Sequence, residues 1–253
     1  MARAPKDATN TGDPSMQVAE MFGRITPCYD ILNRVLSLGT DIYWRKQLVR
    51  SVSLGPRGTL LDLAAGTLDV TRAVTRAHPF SSVVGLDLAL PMLQKGRNKV
   101  GSGRVQLACG NALSLPLADA SVECVTIAFG IRNIDPRSEA FSEIRRVLAP
   151  GGKLCILEFG AVRPGLLGRM YTRYLHSLLP RIGALVTGDR RAYSYLAGTI
   201  SAFPSADALG RELSEAGFEE VEYTPLSAGI VWLHTARKAG PPAEENSTPS
   251  SSN

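Results

Sequence analysis

The stretch of residues 60–69, which reads LLDLAAGTLD, constrains the fold of this chain more than any other. An apolar run gives way to small residues and then to the segment 70–74, which is typical of a buried strand, a tight turn and the start of a helix. Small residues let backbone amides approach a ligand, and a helix N-terminus offers unpaired N–H groups to an anion. Because the third glycine of the Gly-x-Gly-x-x-Gly fingerprint is missing, a dinucleotide such as NAD is disfavoured.

Polar residues also follow the next two apolar runs. Asp87 ends the second run about twenty residues after Gly66, where a carboxylate can accept both hydroxyls of a ribose. Asn111 and Ala112 follow the third run, where an amide side chain and backbone groups can hydrogen-bond an adenine edge. Ligands of open α/β sheets lie outside the carboxyl ends of the strands. The order therefore predicts one adenosine-bearing cofactor, with S-adenosylmethionine as the natural candidate.

Length and composition fit a single large α/β domain. The chain has 253 residues, of which 44% are hydrophobic and 20% charged, and such a chain can bury an ample core. No apolar run reaches membrane-spanning length, and the first fifteen residues lack the apolar segment of a secretory signal. Asp7 and Asp13 argue against an organellar transit peptide. We therefore expect a cytoplasmic protein, with peripheral contact at the inner face of the membrane as an additional option.

Charge and cysteine usage exclude several other classes. The net charge of +5 is mild and comes with no nucleic-acid motif, so no nucleic-acid partner is expected. The four cysteines are widely spaced, and three lie in predicted buried strands, which favours reduced core residues: Cys28, Cys109, Cys124 and Cys155. No histidine or cysteine pair has metal-ligand spacing, so no metal site is expected.

Hydrophobic periodicity predicts the organisation of the chain. Residues 1–15 and 239–253 are polar and are expected to be disordered. Residues 16–238 form one domain, in which a mostly parallel seven-stranded sheet ends in an antiparallel hairpin. A helical cap over residues 16–54 is either a packing layer or a lid with Tyr29, Asp30 and Asn33 facing inward. A helical insertion over residues 160–204 follows the fifth strand and is either core or the wall of an apolar acceptor pocket.

Several motifs resemble one known family. They comprise residues 29–33 (YDILN), 129–133 (FGIRN), 146–148 (RVL) with 150–152 (PGG), 157–159 (LEF), 179–183 (LPRIG) and 228–231 (AGIV). On these motifs the chain resembles the UbiE/MenG-type C-methyltransferases of quinone biosynthesis over roughly residues 21–238. The pairing of YDILN with FGIRN is the specific part, because other class I methyltransferases share only the cofactor half.

The resemblance implies a class I S-adenosylmethionine-dependent methyltransferase with a Rossmann-like α/β fold. Its substrate would be the ring of a reduced demethylquinone, of the demethylmenaquinol or 2-methoxy-6-polyprenyl-benzoquinol type, in menaquinone or ubiquinone biosynthesis. Such an isoprenoid quinol lies in the bilayer, so peripheral membrane contact through residues 165–203 is expected. A homo-oligomer is left open.

The same resemblance assigns roles to individual residues. Cofactor-binding roles fall on Asp62, Gly66, Thr67, Asp87, Asn111, Ala112 and Ala128. Arg132 and Asn133 are expected to orient the hydroxyl of the acceptor, with Arg132 stabilising the developing oxyanion. Tyr29 and Asp30 would complete the catalytic site from the cap, or else form a hydrogen-bonded packing pair.

Two departures from the family pattern bear on the cofactor site. Ala128 stands where a serine is usual and lacks its side-chain hydrogen bond. Leu68 stands where a small residue is usual; a positive φ there costs roughly 1–2 kcal/mol, whereas a side chain in the helix–sheet interface costs nothing. These departures keep two alternatives in view, a methyltransferase for another small apolar acceptor and a catalytically weak scaffold subunit of a quinone-synthesis complex.

Overall fold

The computed structural model describes residues 14–101, 103–160 and 190–240, with the isolated positions 173 and 177. The helices of these residues are α1 Pro14–Ile25, α2 Tyr29–Leu36, α3 Thr40–Ser51, α4 Asp69–Ala77, α5 Leu90–Gly96, α6 Arg137–Val147, α7 Arg190–Ala202 and α8 Ala206–Glu215. The strands are β1 Thr59–Leu63, β2 Ser82–Asp87, β3 Val105–Cys109, β4 Val122–Ala128, β5 Leu148–Phe159, β6 Phe218–Leu226 and β7 Val231–Lys238.

The strands form one sheet in the order β3-β2-β1-β4-β5-β7-β6. The strands β1 to β5 pair in parallel, and β7 pairs antiparallel with both β5 and β6. The predicted mostly parallel sheet with a terminal hairpin is thus confirmed. The strand order reverses between β1 and β4, so the carboxyl ends of these neighbours frame a crevice of the kind that holds ligands in open α/β sheets.

The fifth strand begins earlier than its sequence pattern indicates. The pattern predicts a start at Lys153 after a break at residues 149–152, but β5 already pairs through Leu148 with Val122. The register shifts before Lys153 pairs with Cys124. The Pro-Gly-Gly segment is therefore an irregularity inside the strand, a bulge that the turn residues permit.

Both faces of the sheet are covered. Val125 and Ile127 of β4 pack in the core on the side of α6 and α8, while Cys124 packs with residues of α3 and α4. Such burial on both faces explains why the parallel strands are near-continuous apolar runs. The core prediction is confirmed for Cys124 and Cys155 but wrong for Cys109, which is exposed. Cys109 is the last residue of β3, which is one of the two edge strands of the sheet.

The cap packs on the rest of the domain through a small apolar cluster. Ile25 and Leu32 contact Ala197 and Ile200 of α7. The first helix begins at Pro14, inside the segment that the composition predicts to be disordered. Residues 1–13, 241–253 and most of the predicted insertion lie outside the described residues, including the part proposed to form an acceptor pocket. None of the described helices has the length and apolarity needed to cross a bilayer.

Leu68 has a left-handed backbone and a fully buried side chain. Its φ is 65°, and the residue directly precedes α4. The side chain occupies the helix–sheet interface, where two glycines make room: a Cβ on Gly85 would lie 3.1 Å from Leu68 Cδ2, and one on Gly96 would lie 2.7 Å from Leu68 Cγ. The backbone strain of roughly 1–2 kcal/mol is therefore real, but burial offsets it and the isobutyl group leaves the crevice open.

Any side chain at position 96 is expected to destabilise the fold. A Cβ there would lie 2.5 Å from the Thr67 carbonyl oxygen, so Gly96→Ala should lower the free energy of unfolding by about 1–3 kcal/mol through overpacking. The matched control is Gly198→Ala in α7, where nothing lies within 4 Å of the added carbon; it should raise the free energy by about 0.5–1 kcal/mol. Urea denaturation measures both, and equal effects of the two substitutions would contradict the packing described.

Candidate active site

A cavity opens at the carboxyl ends of β1, β2 and β4. Helix α1 and the first residue of α2 form the wall opposite the sheet. Seven of the sequence-predicted site residues line this cavity: Tyr29, Gly66, Asp87, Asn111, Ala112, Ala128 and Asn133. Four do not line it, namely Asp30, Asp62, Thr67 and Arg132. The mainly apolar lining suits a small organic ligand.

Asp87 is held rigidly against the glycine turn. Its Oδ2 accepts a hydrogen bond from the Gly66 N–H at 2.8 Å, and its Oδ1 accepts one from the Ala89 N–H at 2.8 Å. Burial raises the pKa of the carboxyl, although these backbone donors act in the opposite direction. Each carboxylate oxygen retains acceptor capacity, so Asp87 can accept hydroxyl donors from a ligand while it fixes the turn.

Asn111 and Ala112 form the opposite end of the cavity. The Asn111 Oδ1 accepts a hydrogen bond from the Leu113 N–H at 3.0 Å, which closes a local turn. Asn111 also forms an isolated bridge with Ser114. With its oxygen engaged in this turn, the Asn111 amide has its N–H donors to offer to a ligand.

Asp62 lies beneath the site and does not contact the cavity. Its side chain is buried: Oδ2 accepts hydrogen bonds from the N–H (2.9 Å) and Oγ1 (2.6 Å) of Thr71, and Oδ1 accepts one from Thr126 Oγ1 (3.0 Å). Burial raises its pKa to about 6, against the opposing effect of these donors. The carboxylate joins β1, α4 and β4 and does not line the cavity, and the cofactor contact expected at Asp62 stays a prediction.

Thr67 and Asp30 bond to each other rather than facing the cavity. Thr67 Oγ1 donates to Asp30 Oδ1 at 2.5 Å, and Lys99 Nζ lies 2.8 Å from Asp30 Oδ2 and 2.8 Å from Asp69 Oδ1. Burial alone would raise the pKa of Asp30, but the hydrogen bonds from Lys99 and Thr67 lower it. Asp30 thus fastens the cap to the glycine turn. Neighbouring Tyr29 does line the cavity, in edge-on contact with Phe22 at 6.1 Å between ring centroids.

The FGIRN segment brings the end of β4 close to the turn after β1. Phe129 has a φ of 57°, and a Cβ on Gly130 would lie 2.5 Å from the Ala64 Cβ. Glycine at position 130 is therefore required by close approach of two backbones. Ala128 and Asn133 line the cavity on either side of this contact.

Arg132 points away from the cavity and pairs with a buried carboxylate. Its guanidinium lies 2.5 Å from Glu158 Oε1, with the two side chains 4% and 1% exposed, and stands over the Phe159 ring at 5.6 Å. Burial raises the pKa of Glu158, while the charge of Arg132 lowers it. Arg132 does not line the cavity, and its expected role toward the acceptor stays a prediction. Its Nε is buried and has no hydrogen-bond partner among the described residues.

Tyr195 lies within the predicted helical insertion, but sequence reasoning gave it no role of its own at the site. Its hydroxyl donates to Asn133 Oδ1 at 3.3 Å, and burial raises its pKa, which keeps the hydroxyl protonated. In the sequence Tyr195 belongs to an apolar stripe at helical spacing. Its hydrogen bond to Asn133 depends on the packing of α7 against residues 131–133. A local sequence pattern does not contain that packing.

The described residues contain no cluster of histidine, cysteine, aspartate or glutamate arranged to hold a metal ion. A buried carboxylate beside a glycine turn, an amide at the third strand end and an apolar cavity across them define the class of the protein. It is a class I S-adenosylmethionine-dependent methyltransferase. The ubiE/COQ5 methyltransferase family model matches residues 9–238, and the chain belongs to that family.

Known proteins agree with this assignment. The chain is 40% identical to the ubiquinone/menaquinone biosynthesis C-methyltransferase UbiE of Syntrophotalea carbinolica, over 90% of this chain and 97% of that protein. It is also 40% identical to the demethylmenaquinone methyltransferase of Thermus thermophilus, over 85% and 98% of the two chains. A crystal structure of an S-adenosylmethionine-dependent methyltransferase from Thermotoga maritima shares the fold, with a TM-score of 0.65 at 19% identity over 87% of this chain and 99% of that one.

The raised pKa of Asp62 has a measurable consequence. Its pKa is about 6 in the folded protein against 3.8 ordinarily, so the folded state holds the proton more tightly. The resulting stability is complete below pH 4 and is lost as the pH rises through 6, a change of about 3 kcal/mol. Asp62→Asn removes this titration, so the difference in free energy of unfolding between wild type and variant should change by about that amount between pH 4 and 7.

Denaturant titrations of wild type and Asp62→Asn at several pH values measure this difference. An Asp62→Asn difference that is flat across the same range would contradict the burial of a titrating carboxylate under the turn.

Proposed function

We propose that this enzyme transfers a methyl group from S-adenosylmethionine to a ring carbon of a reduced demethylquinone in menaquinone or ubiquinone biosynthesis. One observation carries the proposal: the family-specific motifs supply Tyr29 and Asn133 to the same cavity that Gly66 and Asp87 line. The names of the two relatives support the same substrate class. Peripheral membrane contact, a cytoplasmic location and homo-oligomerisation remain predictions of this proposal.

The cofactor would lie across the strand ends in a defined direction. Asp87 would accept the ribose hydroxyls, with Asn111 and Ala112 beside the adenine and the Gly66 turn beside the methionine part. This order leaves the methyl end near Ala128 and Asn133. Ala128 supplies van der Waals contact only, so the affinity there comes from the turn and from Asp87. Leu68 is buried elsewhere, which removes one of the two reasons for considering an inactive scaffold.

When bound, S-adenosylmethionine supplies an electrophilic methyl group on a sulfonium. The enzyme has to hold the acceptor ring carbon in line with that group and keep water out. Tyr29, Phe22 and Phe129 give the cavity apolar walls for a flat ring. As the ring carbon gains the methyl group, the adjacent hydroxyl gives its proton to solvent. The ring carbon then loses its own proton and the oxygen regains one, so that one proton is released for each methyl group transferred.

Asn133 is the residue best placed to orient the acceptor hydroxyl. Its Oδ1 is occupied by the Tyr195 hydroxyl, so its Nδ2 donors can bond the oxygen on which negative charge develops. Tyr195 acts through Asn133 as a positioning residue. Arg132 would act from behind the cavity, where its guanidinium pairs with Glu158.

The ion pair between Arg132 and Glu158 limits which substitution can test the mechanism. Replacement of Arg132 alone would leave Glu158 as an unpaired buried carboxylate, which destabilises a protein by about 3–5 kcal/mol. Lost activity in Arg132→Ala would therefore not distinguish a chemical role from misfolding. Tyr195→Phe avoids this problem, because it removes only the hydroxyl that bonds Asn133.

The test is methyl transfer from labelled S-adenosylmethionine to demethylmenaquinol with a short isoprenoid tail. The wild-type enzyme should label the reduced quinol and leave the oxidised quinone unlabelled, because only the quinol has a nucleophilic ring carbon. Tyr195→Phe should lower kcat about tenfold, the worth of one hydrogen bond, with the KM for S-adenosylmethionine unchanged.

Tyr223→Phe is the matched control, since its hydroxyl bonds Asp207 on the exposed surface, and its kcat should equal that of wild type. Labelling of other apolar acceptors but of neither quinol type would contradict the proposed substrate class. Equal kcat values for Tyr195→Phe and wild type would contradict the role of Tyr195.

A further inference from the structure

The outer surface of the cap carries large apolar side chains that nothing in the described structure covers. Ile31, Val35, Leu38 and Ile42 are 64%, 48%, 90% and 58% exposed, and we refer to these four as the cap face. Ile31 and Val35 are one helical turn apart on α2, so they form one stripe. The opposite side of α2 is also apolar, because Leu32 is 2% exposed in the cap cluster. Helix α2 therefore has two apolar sides, of which the fold buries one.

Leu38 is placed at a position that disfavours it. It lies in the turn between α2 and α3 with a φ of 51°, a conformation in which Cβ crowds the following carbonyl and which glycine or asparagine usually adopts. With 90% exposure, the leucine gains no burial within the described structure to offset this strain. A strained and exposed large apolar side chain next to Ile42 indicates a surface that is buried by something outside the described structure.

The charges around the cap face identify the covering surface. Lys46 and Arg50 are exposed on α3, about one and two helical turns after Ile42. The two acidic residues of α2 and α3 are engaged elsewhere: Asp41 is 4% exposed and pairs with Arg34 and Arg45, and Asp30 pairs with Lys99. Apolar residues next to exposed cations are complementary to a bilayer with anionic headgroups, into which apolar side chains insert while cations contact the lipid phosphates.

The cap face is attached directly to the active-site cavity. Tyr29, the first residue of α2, lines the cavity, and so do Val18 and Phe22 of α1. We propose that the cap face docks on an anionic lipid bilayer. Docking brings the cap side of the cavity to the membrane in which an isoprenoid quinol is dissolved. This inference rests on the proposed function for its purpose, but the docking surface itself can be measured without any substrate.

Flotation with vesicles of phosphatidylcholine and phosphatidylglycerol tests the docking. Wild type should float with these vesicles, and the double variant Leu38→Asp with Ile42→Asp should float less by on the order of tenfold or more. The matched control is Phe80→Asp, at a side chain that is 75% exposed and precedes β2 at the opposite end of the sheet; it should float as wild type does. A second variant, Lys46→Glu with Arg50→Glu, should lose flotation on the anionic vesicles specifically.

Activity separates this inference from the proposed function. Both double variants should methylate a short-tailed demethylmenaquinol in solution at the wild-type rate, which also shows that they are folded. They should lose activity on a long-tailed quinol that is embedded in the vesicles. Absence of wild-type activity on the short-tailed quinol would contradict the proposed function. The flotation of wild type and of the double variants would still test the docking proposal independently.

Three results would overturn the docking proposal. The first is flotation of the apolar double variant equal to that of wild type, and the second is no flotation of wild type. The third is a wild-type dimer in sedimentation that the same variant converts to a monomer while vesicle binding is absent, which would assign the cap face to a second copy of this chain.

Discussion

The buried carboxylate of Asp62 is the interaction on which the rest of the site depends. It receives three hydrogen bonds, two from Thr71 at the start of α4 and one from Thr126 in β4. These bonds hold together the two strands between which the strand order reverses and the helix that follows the glycine turn. Because an unpaired buried carboxylate is costly, the turn stays where Gly66 can bond Asp87. The position of the cofactor crevice follows from this one carboxylate.

The structure uses its other charged residues in the same supporting way. Asp30 and Lys99 fasten the cap to the glycine turn, and Glu158 with Arg132 stabilises the end of β4 from behind. The cavity wall itself consists mainly of apolar side chains and uncharged polar groups. This arrangement suits methyl transfer, in which the cofactor supplies the reactive group and the protein supplies alignment and a dry site. Charged residues of the family motifs, such as Asp30 and Arg132, therefore stabilise the structure around the cavity.

Sequence patterns predicted the strands, their parallel order and the residues at the strand ends, because a parallel sheet exposes its carboxyl ends at one edge. They did not distinguish residues in the cavity from residues beneath it. Asp62 pairs with Gly85 in the sheet, so Asp87 on the neighbouring strand lies two residues closer to the carboxyl ends. The motif put Arg132 just after the end of β4, but no pattern indicated its ion pair with Glu158, which lies on the next strand of the sheet. Tyr195 required the docking of α7, which no local pattern contains.

The most direct test of this account is a crystal structure of the enzyme with S-adenosylhomocysteine. The account predicts ribose hydroxyls within hydrogen-bond distance of the Asp87 carboxylate, adenine beside Asn111 and Ala112, and the sulfur directed toward Asn133, with Asp62 still bonded to Thr71 and Thr126. An adenosine group bound elsewhere, or a ligand that contacts Asp62 after displacing Thr71, would contradict it.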